Sequence, residues 1–299
     1  MSRASGMVRT AQALTAAMLV AAPLLGQSSA RQAVDTVTIT ERVLVAGDAT
    51  PADAKRQAIE KALGEAVRRL SGVRVQATQL GVDEDRDGRV RDSFLSVVQL
   101  DAAGRATDYR ILDERFVSER HAKLGTQLYF ELRALVTVAA ERGAVDPAFA
   151  VAVTLNDALF FDSGGSVEGN DELIATITST EPASLTVFGI SGDSAQVLLP
   201  NALMPAHRTT AGRSMELPSR EWRDRGVHFR AALGPQEKAR RELLMVVATR
   251  SPVVFPVPSS PADPAAAPSF SLMAIQRWLV TIPLDQRAVA FAAYEVRRK

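Results

Sequence analysis

The chain has 299 residues, 46% of them hydrophobic and 23% charged, with a formal net charge of +1 and no cysteine. That length is enough for two ordinary domains, and the mixture is that of a globular protein able to bury real cores, which excludes wholesale disorder. Balanced charge gives no electrostatic footprint for nucleic acid or a strongly anionic membrane, and the missing thiols exclude disulfides, thiolate metal sites, cysteine nucleophiles and a lipid-bearing cysteine.

Residues 1–30 read as a secretory signal peptide. Arg3 and Arg9 precede an uncharged run from Ala11 to Leu25, and Ser28-Ser29-Ala30 supplies the small residues of a cleavage site. Losing the two leader arginines changes the charge to −1. No later stretch is long enough to span a bilayer, so the expected location is periplasmic, secreted or envelope-associated, with no stable membrane span after cleavage.

From Val37 to Val45 the residues alternate as in a strand, and Ala46-Gly47-Asp48 forms a turn. A helix is expected from Thr50 to Gly72. Ile59, Ala62, Leu63, Ala66, Val67 and Leu70 recur at spacings of three and four and make one apolar stripe, while Lys55, Arg56, Glu60, Lys61, Glu65, Arg68 and Arg69 are assigned to the wet side. Thr50 caps the helix, Pro51 suits the first helical position and Asp53 places negative charge in the first turn. Ser71-Gly72 ends it.

Val73, Val75 and Ala77 alternate with polar neighbours as a second strand would, followed by a polar loop from Gly81 to Asp92 and a short helix around Phe94, Leu95 and Val98. Tyr109 to Ser118 reads as extended and His121 to Gly125 as a turn. The clearest strand follows: Leu128, Phe130, Leu132, Ala134, Val136 and Val138 share one face, and Tyr129, Glu131, Arg133 and Thr137 the other. The local turn predicts antiparallel pairing, with helices over the dry face, in a two-layer α+β domain spanning 31–143.

The pieces Val45-Ala46-Gly47-Asp48-Ala49, Ala54-Lys55-Arg56-Gln57-Ala58, Ala62-Leu63-Gly64-Glu65-Ala66-Val67, Ser71-Gly72-Val73-Arg74-Val75 and Gly104-Arg105-Ala106-Thr107-Asp108-Tyr109 form a recognisable series. Together they resemble the N-terminal domain of the flagellar assembly protein T family and the related small outer-envelope lipoproteins. The resemblance implies an exported structural or assembly part. The lipoprotein cysteine and the rest of a flagellar ring protein are missing, so a flagellar role does not carry over.

At Asp146-Pro147 a second, β-rich, sandwich-like domain is expected to begin, spanning 144–299. Extended signals fall at Phe149 to Leu155, Glu172 to Ser179, Ser184 to Ile190, Ala195 to Leu199 and Leu243 to Thr249. Gly169-Asn170-Asp171-Glu172-Leu173, the run Ser179 to Phe188, Val197-Leu198-Leu199-Pro200-Asn201, Ala211-Gly212 and Leu217-Pro218 resemble the bacterial domain of unknown function 4384. That family sits on exported or envelope-associated proteins and on signalling modules, which implies a binding or regulatory role. Six prolines between Pro252 and Pro268 mark an extended loop, Phe270 to Val280 a helix capping the sandwich, and Phe291 to Val296 a last extended segment.

Chemistry-bearing motifs are few. In Asp83-Glu84-Asp85-Arg86-Asp87-Gly88-Arg89-Val90 the oxygen donors Asp83, Asp85 and Asp87 with Gly88 match the front half of a calcium loop, and Asp92 could join them, but Phe94 stands where the bidentate Glu belongs. His121, His207 and His228 have no zinc-binding spacing, and Ser166 and Ser191 lack the glycine pattern of a nucleophile elbow. Arg208, Arg213, Arg220, Arg223 and Arg225 surround Trp222 as a basic-aromatic patch diluted by Glu216, Glu221 and Asp224; it reads either as a polyanion or glycan contact or as a solvated loop with the Trp in the core. No catalytic residue and no organic cofactor is assigned. The expectation is a non-enzymatic envelope protein acting through protein or envelope-polymer contacts. The alternatives are a calcium-dependent or hydrolytic periplasmic enzyme and an accessory sensor domain of an envelope signalling system.

Overall fold

The computed structural model describes residues 33–45, 49–71, 104–122, 125–155, 159–161, 171–192, 194–201, 203–230, 232–234, 236–256 and 268–298. The leader-like segment, the acidic loop from Asp83 to Asp92, Ser166, the expected strand after Gly72 and the helix around Phe94 lie outside these residues.

The expected helix is present as α1 (Pro51–Ser71). A reciprocal cap starts it: the Asp53 amide donates to Thr50 Oγ1 at 3.2 Å and the Thr50 amide donates to Asp53 Oδ2 at 3.0 Å. This is a capping box with Asp in place of the usual Glu or Gln. The apolar stripe packs on an antiparallel sheet of β1 (Val34–Leu44), β2 (Gly104–His121) and β3 (Gly125–Ala140), in the order β1-β3-β2. Ile39, Val43, Ala58, Leu63, Ala66, Phe130, Leu132, Ala134 and Val136 share one buried cluster. The dry face read from alternation in β3 is therefore the face under α1 from Phe130 to Val138, whereas Leu128, read on the same face, lies beyond the reach of α1 and is exposed. Glu60, assigned to the wet side, is instead buried at 4% exposure. Residues 54, 58, 60 and 64 are buried as well as the stripe, so the covered arc of α1 is wider than its apolar arc.

The remaining strands form two further sheets. One holds β4 (Val151–Leu155), β6 (Ala175–Ser179) and β9 (Ser214–Leu217) in the order β4-β6-β9. The other takes β5 (Leu159–Phe161), β7 (Ser184–Ser191), β8 (Ser194–Leu199), β10 (Ala239–Thr249), β11 (Ser269–Ser271) and β12 (Arg287–Arg298), ordered β11-β8-β7-β10-β12-β5. All pairings but β12 with β5 are antiparallel. Ile177, Leu185, Val187, Leu217, Leu244 and Val246 fill the space between these two sheets. Strand β10 is buried over Leu243–Thr249 because it is central and covered on both faces, which is why its sequence is continuously apolar and does not alternate.

The opposite face of the six-stranded sheet is covered by α3 (Leu272–Leu279), which follows the short α2 (Arg220–Asp224). Phe188, Phe255, Phe270 and Trp278 meet there edge to face at centroid separations of 5.0–5.8 Å. The Trp278 indole N–H donates to the Val254 carbonyl at 3.2 Å. The helix also reaches the first sheet, since Met273 belongs to the cluster under α1.

The fold is thus mixed α+β and mostly β, and residues 32–299 form one compact unit. Among the described residues no helix is long and apolar enough to cross a membrane.

Candidate functional site

A cavity of about 540 Å³ opens where the core between the two later sheets runs out. Its floor is one cross-strand row. Ser191 of β7 stands opposite Ser194 of β8, and Glu242 of β10 stands opposite Tyr294 of β12. Strand alternation puts Gly189 and Ser191 on the same face as Val187, so small residues continue a face that is bulky deeper in the sandwich. The rim is a single antiparallel bridge between Glu172 and Arg230, fixed by the Leu173 amide donating to the Phe229 carbonyl at 2.7 Å.

Arg240, Glu242 and Tyr294 of this cavity are linked in one hydrogen-bonded chain. Glu242 accepts from the Tyr294 hydroxyl at 2.7 Å and from Arg240 Nε at 2.8 Å. Arg240 also donates to Glu237 at 2.9 Å and to the Ala232 carbonyl at 2.6 Å. Burial, with the charge of Glu242 and the hydrogen bond to it, drives the Tyr294 phenol well above its ordinary range and keeps it protonated. His228 Nδ1 lies 3.1 Å from Glu172 Oε1, without hydrogen-bond geometry between them. Ser194 shares a short hydrogen bond with Ser269. Among the described residues the side chains of Ser191 and Gln196 have no such partner, and both line the opening. Leu173, Leu198 and Phe229 add apolar wall. A hydroxyl, an amide and an aromatic ring beside the Arg240–Glu242–Tyr294 chain suit a hydrogen-bonding ligand with an apolar side.

Of the residues weighed from the sequence, only Ser191 and His228 meet in this cavity. His121 sits on the β2–β3 hairpin, where its Nε2 is 3.2 Å from the Tyr129 hydroxyl, and His207 is exposed. The arginine patch is dispersed. Arg223 bonds the Pro218 carbonyl and Glu216, Arg225 bonds Glu221 and stacks 5.2 Å from the Trp222 ring, and Arg208 reaches the carbonyls of Pro182 and Arg250. Trp222 is half-buried against the sandwich core, as in the solvated-loop reading. Among the described residues no group of three or more acidic or histidine side chains is arranged to hold a metal. The calcium donors Asp83, Asp85, Asp87 and Asp92 lie outside the described residues.

Sequence reasoning missed Gln196, Arg240, Glu242 and Tyr294. The one local signal is Glu242, a charge directly ahead of the apolar run of β10 and on the face that Leu244 and Val246 continue into the core. Comparison of the chain with protein-family models and with curated proteins gives no match.

Proposed function

We propose that this chain is an exported, non-enzymatic envelope protein. It works as a structural, assembly or binding module through protein or envelope-polymer contacts, and is laid out as an α+β domain at 31–143 followed by a β-rich domain at 144–299. The leader-like segment and the two family resemblances motivate the address and the class. The observation that carries the binding reading is the cavity beside Ser191 and Gln196: Arg240, Glu242 and Tyr294 are engaged with one another, while a hydroxyl and an amide are left facing the opening. Such a surface recognises neutral polar groups, such as the hydroxyls of a glycan or the amides of an extended peptide.

The experiment is capture from an envelope extract by the purified chain and by a Gln196→Trp variant. Gln196 is exposed at the cavity, so a bulky ring there fills the opening without disturbing the core. Retention of a defined component by the parent and its loss in the variant is the expected result. Equal retention by both moves the contact off this cavity, and turnover of a substrate by the parent overturns the non-enzymatic reading.

A further inference from the structure

Strand β1 forms one edge of the first sheet, with β3 on its inner side and no strand on its outer side among the described residues. Its hydrogen-bonding phase is fixed by its two ends. The Ala33 carbonyl accepts from the Ala140 amide at 3.0 Å, and the Val45 amide donates to the Leu128 carbonyl at 2.8 Å. Odd-numbered residues therefore pair with β3, and Val34, Thr36, Thr38, Thr40, Arg42 and Leu44 aim their amides and carbonyls outward.

The two edges of this sheet are treated differently. β2 carries two register shifts, between Ala106 and Asp108 and between Ile111 and Asp113, and eight Asp, Glu or Arg side chains in 18 residues. Bulges and charge are the usual devices that prevent strand addition. β1 is less protected: it runs 11 residues in unbroken register, without Pro, Gly or Lys, its three charged side chains Asp35, Glu41 and Arg42 lie near its ends with Val37 to Thr40 uncharged between them, and it leaves Val34 and Leu44 exposed at 54% and 45%.

We propose that β1 is a self-pairing edge and that its partner is the β1 of a second copy of this chain, in a two-fold, antiparallel, continuous sheet. The strand is complementary to itself. Full overlap places Ile39 on the axis, each Thr38 beside the other copy's Thr40, each Thr36 beside Arg42, and each Val34 beside Leu44. No like charges are directly opposed, and the two exposed apolar ends cover each other.

The helices agree with this arrangement. α1 packs over β1 and β3, and one further strand spacing would set the two copies of α1 roughly 10 Å apart, an ordinary interaxial distance. The α1 flank above Glu41 carries Lys61, Glu65, Arg68 and Arg69, a mixture of signs that can meet its own two-fold image.

Sedimentation equilibrium of the purified full chain tests the pairing. The parent should be a dimer that dissociates on dilution. Thr38→Pro removes an outward amide that the β1–β3 ladder does not use, and Thr38→Lys with Thr40→Lys sets lysines opposite each other; each should weaken the dimer at least about tenfold. Thr38→Lys with Thr40→Glu puts opposite charges in register and should restore it, which a merely misfolded strand would not do. A parent that stays monomeric at every concentration overturns the proposal. So does a dimer indifferent to all three variants, or one that the Lys/Glu variant fails to restore.

Discussion

Glu60 shows how far a single side chain can depart from what its chemistry implies. Among the described residues both of its carboxylate oxygens are buried without a hydrogen-bond partner, and burial pushes the carboxyl up to about 7 against a smaller opposing pull from Arg56. A carboxyl raised in the folded state favours folding while protonated. Its contribution is complete below the ordinary carboxylate range and is lost as pH rises through about 7. Stability should therefore fall between pH 5 and pH 8 by roughly 2–3 kcal/mol from this group alone. Glu60→Met should flatten that slope and melt higher than the parent at pH 8, with little difference at pH 4.5, measured by thermal unfolding in matched buffers. An unchanged slope would mean that the carboxylate is solvated in the folded protein. No pattern in the sequence marks this position: Glu60 lies one turn from Gly64 and two from Val67, inside a covered arc of α1 wider than its apolar stripe.

Among the elements, α1 is where local sequence and final structure agree most closely. Thr50, Pro51 and Asp53 act as their types imply, and the hydrogen bonds from Thr50, aided by Arg56, hold the Asp53 carboxyl below the usual range. Thr50→Ala should cost about 1 kcal/mol in urea denaturation, as loss of an N-cap does. Because Asp53 titrates downward, its contribution is present above the ordinary carboxylate range and lost as pH falls through it, so parent and variant should converge in acid. Equal stability at neutral pH would show that water replaces the cap at no cost. The strands were legible to the extent that one face is buried: β3 and β10 declare themselves, whereas β9 and β11, of four and three residues, are too short to show a period. β2 extends from Gly104 to His121, well beyond the Tyr109–Ser118 stretch, because pairing with β3 continues through residues whose burial does not alternate, Ala106 and Thr107 both being buried across a register shift. The cavity was illegible for a related reason: Ser191, Glu242 and Tyr294 become neighbours only through cross-strand register.

At the scale of the whole molecule, the boundary read near Asp146 is crossed by several buried or half-buried ionic contacts. Arg250 binds Glu181 with two nitrogens, reaches Asp146 at 2.6 Å and lies 4.7 Å from the Phe149 ring. Just before it, Glu141 accepts from Arg105 of β2 and from Arg287 of β12, the latter at 2.5 Å, with Glu141 and Arg287 buried to 1% and 2% side-chain exposure. Arg287 also donates to the carbonyls of Leu279 and Ile282, so the α3 turn, the last strand and the first sheet share one ionic junction. None of this is visible locally, because the partners are separated by 36 and 146 residues. Removing the central charge leaves two guanidinium groups buried together, and breaking such a group from one side costs about 3–5 kcal/mol. Glu141→Gln should therefore lower the urea midpoint strongly. In the parent, Trp222 and Trp278 fluorescence and the circular dichroism of α1 should change together, as expected when Gln32–Lys299 unfolds as one compact unit. In the variant the two signals should separate, because Glu141 joins the sheet under α1 to the strands that carry the tryptophan environments. Coincident transitions with an unchanged midpoint would mean that apolar contact through Met273 and α3 couples the two parts, and that the ion pairs only fix its geometry.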